Sequence, residues 1–251
     1  MYLPSKRFQF GFSIFSLLMI VALSFVFVAQ AQKKDENAKR QQQKRLTQTK
    51  ETQAAMTPAE ALNRLKEGNR RFVKGKTLDR DMPVQIKETS EAQYPFATIL
   101  SCQDSRTSSD LLFDLNKGDA FSLRIAGNVV NEDMLGGMEF GSRVAGAKLI
   151  AVIGHTKCGA IYGACDNVKL GNLTGLLDRI KPSIELVPAS ITPRTSKNAQ
   201  FVDAVTEQNV RYQMRQIREK SPILREMIDK GELAVVGGIY DISTGEVRFL
   251  D

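Results

Sequence analysis

Histidine and cysteine are scarce in this chain. His155 is its one histidine, and Cys102, Cys158 and Cys165 are its three cysteines among 251 residues. Metal chemistry with nitrogen and sulfur ligands is therefore excluded anywhere away from His155. Tryptophan is absent. Excess charge is missing from the part that folds. The whole chain carries +7, but residues 57–251 hold 26 Lys/Arg against 25 Asp/Glu. The basicity sits in the first 56 residues, so a basic groove for nucleic acid is not expected. No internal repeat is visible. No cysteine lies near position 31, which argues against a lipid-modified N-terminus there.

The chain begins with Lys6 and Arg7, an apolar run from Phe10 to Val28 and then Ala29-Gln30-Ala31. A short basic start, an apolar stretch and an A-x-A site form a secretory signal. We expect residues 1–31 to be a signal peptide cut after Ala31. The run is also about long enough to span a bilayer, so an uncleaved anchor is the alternative. Either form puts the domain outside the cytoplasm, periplasmic or secreted. Membrane contact is expected only through this segment, if it stays uncleaved. Residues 32–56 contain six glutamines, many Lys/Arg and almost no large apolar residues. They cannot bury enough surface to offset the entropy of ordering, and a flexible linker is expected there.

Residues 57–251 form the expected folded domain. Thr57-Pro58-Ala59-Glu60 is a helix start with a capping box. Residues 79–93 read as irregular. Apolar strand-like runs follow at 96–101, 121–126, 148–153 and 233–240, with a last short strand at 247–249. Helical patterns lie between them: a short one at 111–113, then 134–145, a start after Cys158, and 199–219. Another starts at Ser221-Pro222. Leu173, Leu176, Leu177, Ile180, Ile184 and Val187 mark one helical face. This alternation predicts an α/β fold, a mostly parallel central sheet with an antiparallel edge, flanked by helices. In such sheets ligands bind beyond the carboxyl ends of the strands. Two stretches stand there. Cys102-Gln103-Asp104-Ser105-Arg106 follows one strand, and His155-Thr156-Lys157-Cys158-Gly159 follows another.

Taken singly, each thiol is a buried apolar cysteine and His155 a satisfied loop histidine. Together Cys102, His155 and Cys158 make a two-thiol, one-imidazole set suited to zinc, with a fourth position open. A disulfide between Cys102 and Cys158 is the competing reading in an oxidising compartment. Asp104 can ligate a metal or accept a hydrogen bond from a water on it. Arg106 can hold Asp104 ionised through a bidentate pair. The plain alternative is a surface ion pair contributing about 0–1 kcal/mol. Cys165, two helical turns past Cys158, reads as a buried residue.

These motifs resemble the β-class carbonic anhydrases. The likeness rests on Cys102-x-Asp104-x-Arg106 and His155-x-x-Cys158-Gly159, supported by Gly118-Asp119-Ala120-Phe121, Arg124-Ile125-Ala126-Gly127-Asn128 and Gly171-Asn172-Leu173-Thr174. It covers essentially all of 57–251. The resemblance implies the β-carbonic anhydrase fold, with one zinc per chain on Cys102, His155 and Cys158. It implies Asp104 and Arg106 as the catalytic dyad, and hydration of carbon dioxide to bicarbonate and a proton by zinc-bound hydroxide. In some members the aspartate swings in as a fourth ligand, so Asp104 is expected to be able to close the site. Gln93 and Gly159 match substrate-binding positions. Members are homodimers or larger with active sites at subunit interfaces, so Gln93 is expected to serve a neighbour's zinc. Departures are Gln103 in place of the commonest serine and Thr107-Ser108 in place of a frequent Val-Pro. The missing tryptophan removes a bicarbonate-pocket residue known in switching members. A same-fold carbonyl sulfide or carbon disulfide hydrolase, or a non-catalytic zinc- or bicarbonate-binding protein, are the other readings.

Overall fold

The computed structural model of the chain describes Val28, residues 30–34 and residues 47–250. It separates into two units, Met1–Lys44 and Arg45–Asp251. The described residues of the first are helical. No helix among the described residues is long and apolar enough to cross a membrane. The expected signal segment and residues 35–46 of the expected linker lie almost wholly outside the described residues.

The end of that linker is corrected by the structure. Residues 50–55 form a helix, α1 (Lys50–Ala55), closed by a reciprocal cap between Thr49 and Thr52. Gln53 is buried, and its Nε2 donates to the carbonyls of Pro95 and Ala145, both at 2.7 Å. Met56 packs on the core. One amide satisfies two carbonyls that no sheet or helix uses, which a composition argument about apolar area cannot register.

Thr57 and Glu60 cap α2 (Pro58–Val73) reciprocally, as expected. Its buried face, Ala61 and Leu65, meets the sheet. Arg64 on the same helix donates from Nη2 to both oxygens of Asp119 at 2.8 Å. The segment expected to be irregular contains α3 (Met82–Glu88), started by the Asp81 carboxylate accepting from the Val84 N–H at 3.1 Å. Two helical turns are too short to show periodicity; only the Asp81 cap and Pro83 marked it.

Five strands form one sheet: β1 (Ala97–Ser101), β2 (Ala120–Arg124), β3 (Leu149–His155), β4 (Ala234–Tyr240) and β5 (Val247–Phe249). Their order is β2-β1-β3-β4-β5, with β5 alone antiparallel to its neighbour. Every residue of β1 and β3 is buried. Such continuous burial fits parallel strands covered on both faces. Ile99, Leu149, Ala151 and Ile153 face α2 and the short α4 (Ser109–Leu112) through Leu65, Leu112 and Phe113. Leu100, Ile150 and Val152 face α5 (Glu132–Glu139), α9 (Ala199–Lys220) and α10 (Pro222–Asp229) through Met138, Val210, Ile217 and Leu224. A Cβ at Gly154 would lie 2.7 Å from Val210 Cγ2, so glycine permits this close crossing of α9 over β3.

The segment expected to be helical at 134–145 is so but changes its hydrogen bonding, and the expected 173–187 helical face is divided. The 134–145 segment is α5 followed by a π-helical turn, Phe140–Val144, where the Ala145 N–H reaches the Phe140 carbonyl at 2.9 Å. The wider turn lets Gly141 sit against Thr98 and Phe121. The 173–187 face is shared by α7 (Gly171–Asp178) and α8 (Lys181–Glu185). Pro182 has no N–H to give the Asp178 carbonyl, and its ring would strike that carbonyl in a straight helix.

Candidate metal centre

Strand order reverses at β1. The chain leaves β1 toward β2 on one side, while β3 lies on the other. The carboxyl ends of β1 and β3 therefore border the crevice where open α/β sheets bind ligands. Ser101 pairs with Ile153, so Cys102 emerges one residue past the strand beside Gly154 and His155. His155 is the last residue of β3, in register with Tyr240 of β4. After it the chain turns through Lys157 at φ 56° and enters α6 (Gly159–Cys165) at Cys158. This left-handed step, uncommon for a residue with a side chain, carries Cys158 back over the crevice.

Cys102, His155 and Cys158 offer one donor atom each, all within 4.8 Å of one another, and all three residues are buried. The two sulfurs are 3.9 Å apart and no disulfide joins them. Two thiolates bound to one tetrahedral zinc at about 2.3 Å each stand about 3.8 Å apart. His155 Nδ1 lies 2.9 Å from the Thr156 carbonyl, which assigns the proton to that nitrogen. The other ring nitrogen, Nε2, is buried with no hydrogen-bond partner. An orphaned imidazole nitrogen facing two close sulfurs is what a metal-ligand set looks like before metal is considered. The residues present fit zinc.

The electrostatics agree with a paired thiol site. The Cys102 thiol is held down, to about 4, first by the hydrogen bond from Cys158. His155 and the N–H groups of Asp104 and Gly127 add to this, against burial. Cys158 is pushed up by the same shared hydrogen bond and by burial. Without metal the two sulfurs titrate as a pair that shares one proton. The 3-10 turn at Ala126–Asn128 brings the Gly127 N–H to the Cys102 sulfur. Gly127 has φ 67°, and a Cβ there would lie 2.6 Å from Ile180 Cδ1.

Asp104 and Arg106 form the expected bidentate pair, Nε to Oδ1 at 2.9 Å and Nη2 to Oδ2 at 2.7 Å. The Arg106 N–H adds a third bond to Oδ1 at 3.0 Å. These bonds hold the Asp104 carboxyl far below the usual carboxylate range, Arg106's side chain first. His155 contributes to that lowering, and Cys102 and Tyr240 interact with Arg106, so the dyad lies beside the cluster. Gly159 starts α6 with open space where a Cβ would stand. Gln93 is not brought there within one chain. Its Cβ is 3.9 Å from an ideal Cβ on Gly118, just before β2, and it lines a cleft of about 800 Å3 with Leu111 and Lys117. The length of β1, at about 3.3 Å per residue, separates it from Cys102.

Several supporting residues carried no functional reading in the sequence. Asn209 and Gln213 of α9 reach the Gly127 carbonyl and the Val130 N–H, each at 2.8 Å, and bond one another at 3.0 Å. Their spacing of four, polar on a helix's buried side, was the available signal. Thr107 and Arg124 hold the loop after β1.

Fold and site define an α/β protein with a two-thiol, one-imidazole site at its sheet's switch point, next to an Asp–Arg dyad. The carbonic anhydrase family model matches residues 97–247, more than half of the chain. Carbonic anhydrase 2 of Mycobacterium tuberculosis is 32% identical over 195 residues, which cover 77% of this chain and 93% of that protein. The β-carbonic anhydrase CafA of Aspergillus fumigatus is similar in structure with a TM-score of 0.60 at 29% identity, over 77% of this chain and 90% of that one. A tetrameric β-carbonic anhydrase of Sordaria macrospora shares the fold, with a TM-score of 0.60 at 24% identity over 67% of this chain and 86% of its own. The chain belongs to the β-class carbonic anhydrases, a family of lyases.

Proposed function

We propose that this chain hydrates carbon dioxide reversibly to bicarbonate and a proton, with one zinc per chain on Cys102, His155 and Cys158. The observation that carries the proposal is the buried, unpartnered Nε2 of His155 facing the Cys102 and Cys158 sulfurs, with Asp104 beside them. When bound, zinc supplies a Lewis acid that makes water nucleophilic near neutral pH. The chain's own residues do the rest. Asp104, kept ionised by Arg106, accepts a hydrogen bond from the attacking water and turns its lone pair toward carbon. Arg106 fixes both carboxylate oxygens, so Asp104 meets the substrate in one orientation. The backbone at Gly159 leaves room for a small linear substrate. The chain's one histidine is a ligand whose second nitrogen is committed to Thr156, so no imidazole carries the product proton away. It passes to water or buffer.

The active form is a homo-oligomer in which Gln93 of one subunit reaches the site of the next. Its position at the far end of β1 from its own Cys102 supports this, and the Sordaria macrospora relative is tetrameric. The leader sequence supports export to the periplasm or beyond, with the reaction serving carbon dioxide–bicarbonate exchange or pH buffering there.

Stopped-flow hydration on the domain, with zinc measured on the same sample, tests the reading. One zinc per chain with fast hydration that rises with buffer concentration is expected. One zinc per chain and no hydration would overturn it in favour of carbonyl sulfide or carbon disulfide as substrates. No zinc, with Cys102 and Cys158 oxidised, would point to thiol redox chemistry.

A further inference from the structure

The loop from Cys102 to Arg106 carries a metal ligand and the dyad carboxylate, yet it belongs to no helix or strand. Its geometry must be held from outside. Two side chains hold it, and both act on the same two backbone carbonyls. The Thr107 hydroxyl lies 2.8 Å from the Cys102 carbonyl and 2.9 Å from the Asp104 carbonyl. Arg124, at the end of β2, donates from Nε to the Cys102 carbonyl at 3.2 Å and from Nη2 to the Asp104 carbonyl at 2.6 Å. The Thr107 N–H adds a bond to the Asp104 carbonyl at 3.0 Å. The one hydroxyl proton is shared between the two carbonyls, and Arg124 and the Thr107 N–H supply the remaining donors. Arg124 Nη2 also lies 3.5 Å from the Thr107 oxygen, which can accept from it while the hydroxyl proton serves a carbonyl.

Arg124 is solvent-exposed, whereas Thr107 is 1% exposed. A buried hydroxyl has no water to fall back on, so it is satisfied by the loop itself. Valine has the same shape and keeps the packing, but gives up the donor and leaves both carbonyls to Arg124 and one N–H.

We propose that Thr107 is a positioning residue of this centre. Its buried hydroxyl, with Arg124, pins the carbonyls of Cys102 and Asp104 and thereby sets the distance and angle between a ligand sulfur and the dyad carboxylate. It touches neither substrate nor metal. The inference rests on the carbonic anhydrase reading for its catalytic consequence, and on geometry alone for its effect on metal retention.

The test compares Thr107→Val and Thr107→Ser with the wild-type protein, zinc-loaded. Two quantities are read: the rate of zinc release to a chromogenic chelator, and kcat and KM separately for hydration. Removing a group that orients a ligand shell costs roughly tenfold or more in metal affinity or activity. We expect Thr107→Val to release zinc about tenfold faster and to lose about tenfold in kcat at little-changed KM, with Thr107→Ser within about twofold of wild type. Wild-type zinc release and kcat in Thr107→Val would overturn the proposal. So would equal damage in both variants, because the hydroxyl would then be irrelevant and the methyl's packing decisive. Should Thr107→Val fail to fold, Thr107→Ser alone decides: retained zinc and turnover support the clamp, and their loss overturns it. If the wild-type protein binds zinc but hydrates no carbon dioxide, the functional reading fails, while the zinc-release comparison still reads the clamp.

Discussion

At the residue scale the site depends on which atoms its neighbours leave free. Thr156 occupies one nitrogen of His155 and leaves the other bare. Arg106 occupies both oxygens of Asp104 and keeps a charge on them. Asp104→Asn keeps the shape and removes the charge that Arg106 pairs with. It should retain one zinc per chain while kcat/KM falls about a hundredfold, the order that loss of a proton-handling group costs; metal analysis and stopped-flow hydration on one sample check this. The thiols give a second expectation. A lowered Cys102 keeps its charged form above about 4, far under the ordinary thiol value of about 8.5. Cys158 is raised by the same hydrogen bond, and Cys165 is pushed up to about 11 by burial. The metal-free chain near neutral pH should therefore show one thiolate by ultraviolet absorbance. Cys102→Ser should abolish that absorbance, and Cys165→Ser should leave it unchanged.

At the scale of elements, charged side chains do what the apolar pattern cannot. Strands β1 and β3 are held by burial on both faces, but α2 is also fastened through Arg64 to Asp119, a carboxylate just 1% exposed. The Arg64 guanidinium also stacks over Phe96 at 4.5 Å and donates to Gln48. Replacing Arg64 by methionine leaves Asp119 buried without its ion-pair partner, where burial already pushes the carboxyl toward its neutral form. Removing one partner of a buried pair costs about 3 kcal/mol or more. Denaturant unfolding of Arg64→Met should show a loss of that order with an unchanged m-value. The cap of α2 was legible because Thr57 and Glu60 act within one turn. α3 and the docked end of the linker were not legible, because their signals are a lone cap and two long-range amide bonds.

At the scale of the whole molecule, one chain assembles the metal-type cluster and the dyad but leaves Gln93 at the other end of β1. In the proposed oligomer a neighbour completes the site. Mixed subunits read this directly. Gln93→Ala and Asp104→Ala chains, each nearly inactive alone, should recover about a quarter of wild-type activity when refolded together at equal amounts. Half the dimers then pair unlike chains, and each of these holds one intact site. If Gln93 served its own chain, mixing would recover nothing.

The Cys102–His155–Cys158 cluster, the Asp104–Arg106 pair, the parallel sheet and its antiparallel edge were legible in the sequence itself. Each depends on near neighbours: a strand's apolar run, a cap three residues away, a ligand pair spaced by a single turn. With one histidine in the chain, the place of any nitrogen-and-sulfur metal site was settled before folding was considered. The tertiary structure alone decided which carbonyls Gln53 ties together and where Pro182 divides a helical face. It alone set Thr107 and Arg124 on the same two carbonyls and kept Gln93 from its own metal site. Those contacts join residues that the fold brings into reach. Hydrogen bonds of this kind depend on distance and angle in space, and no periodicity along the chain records them.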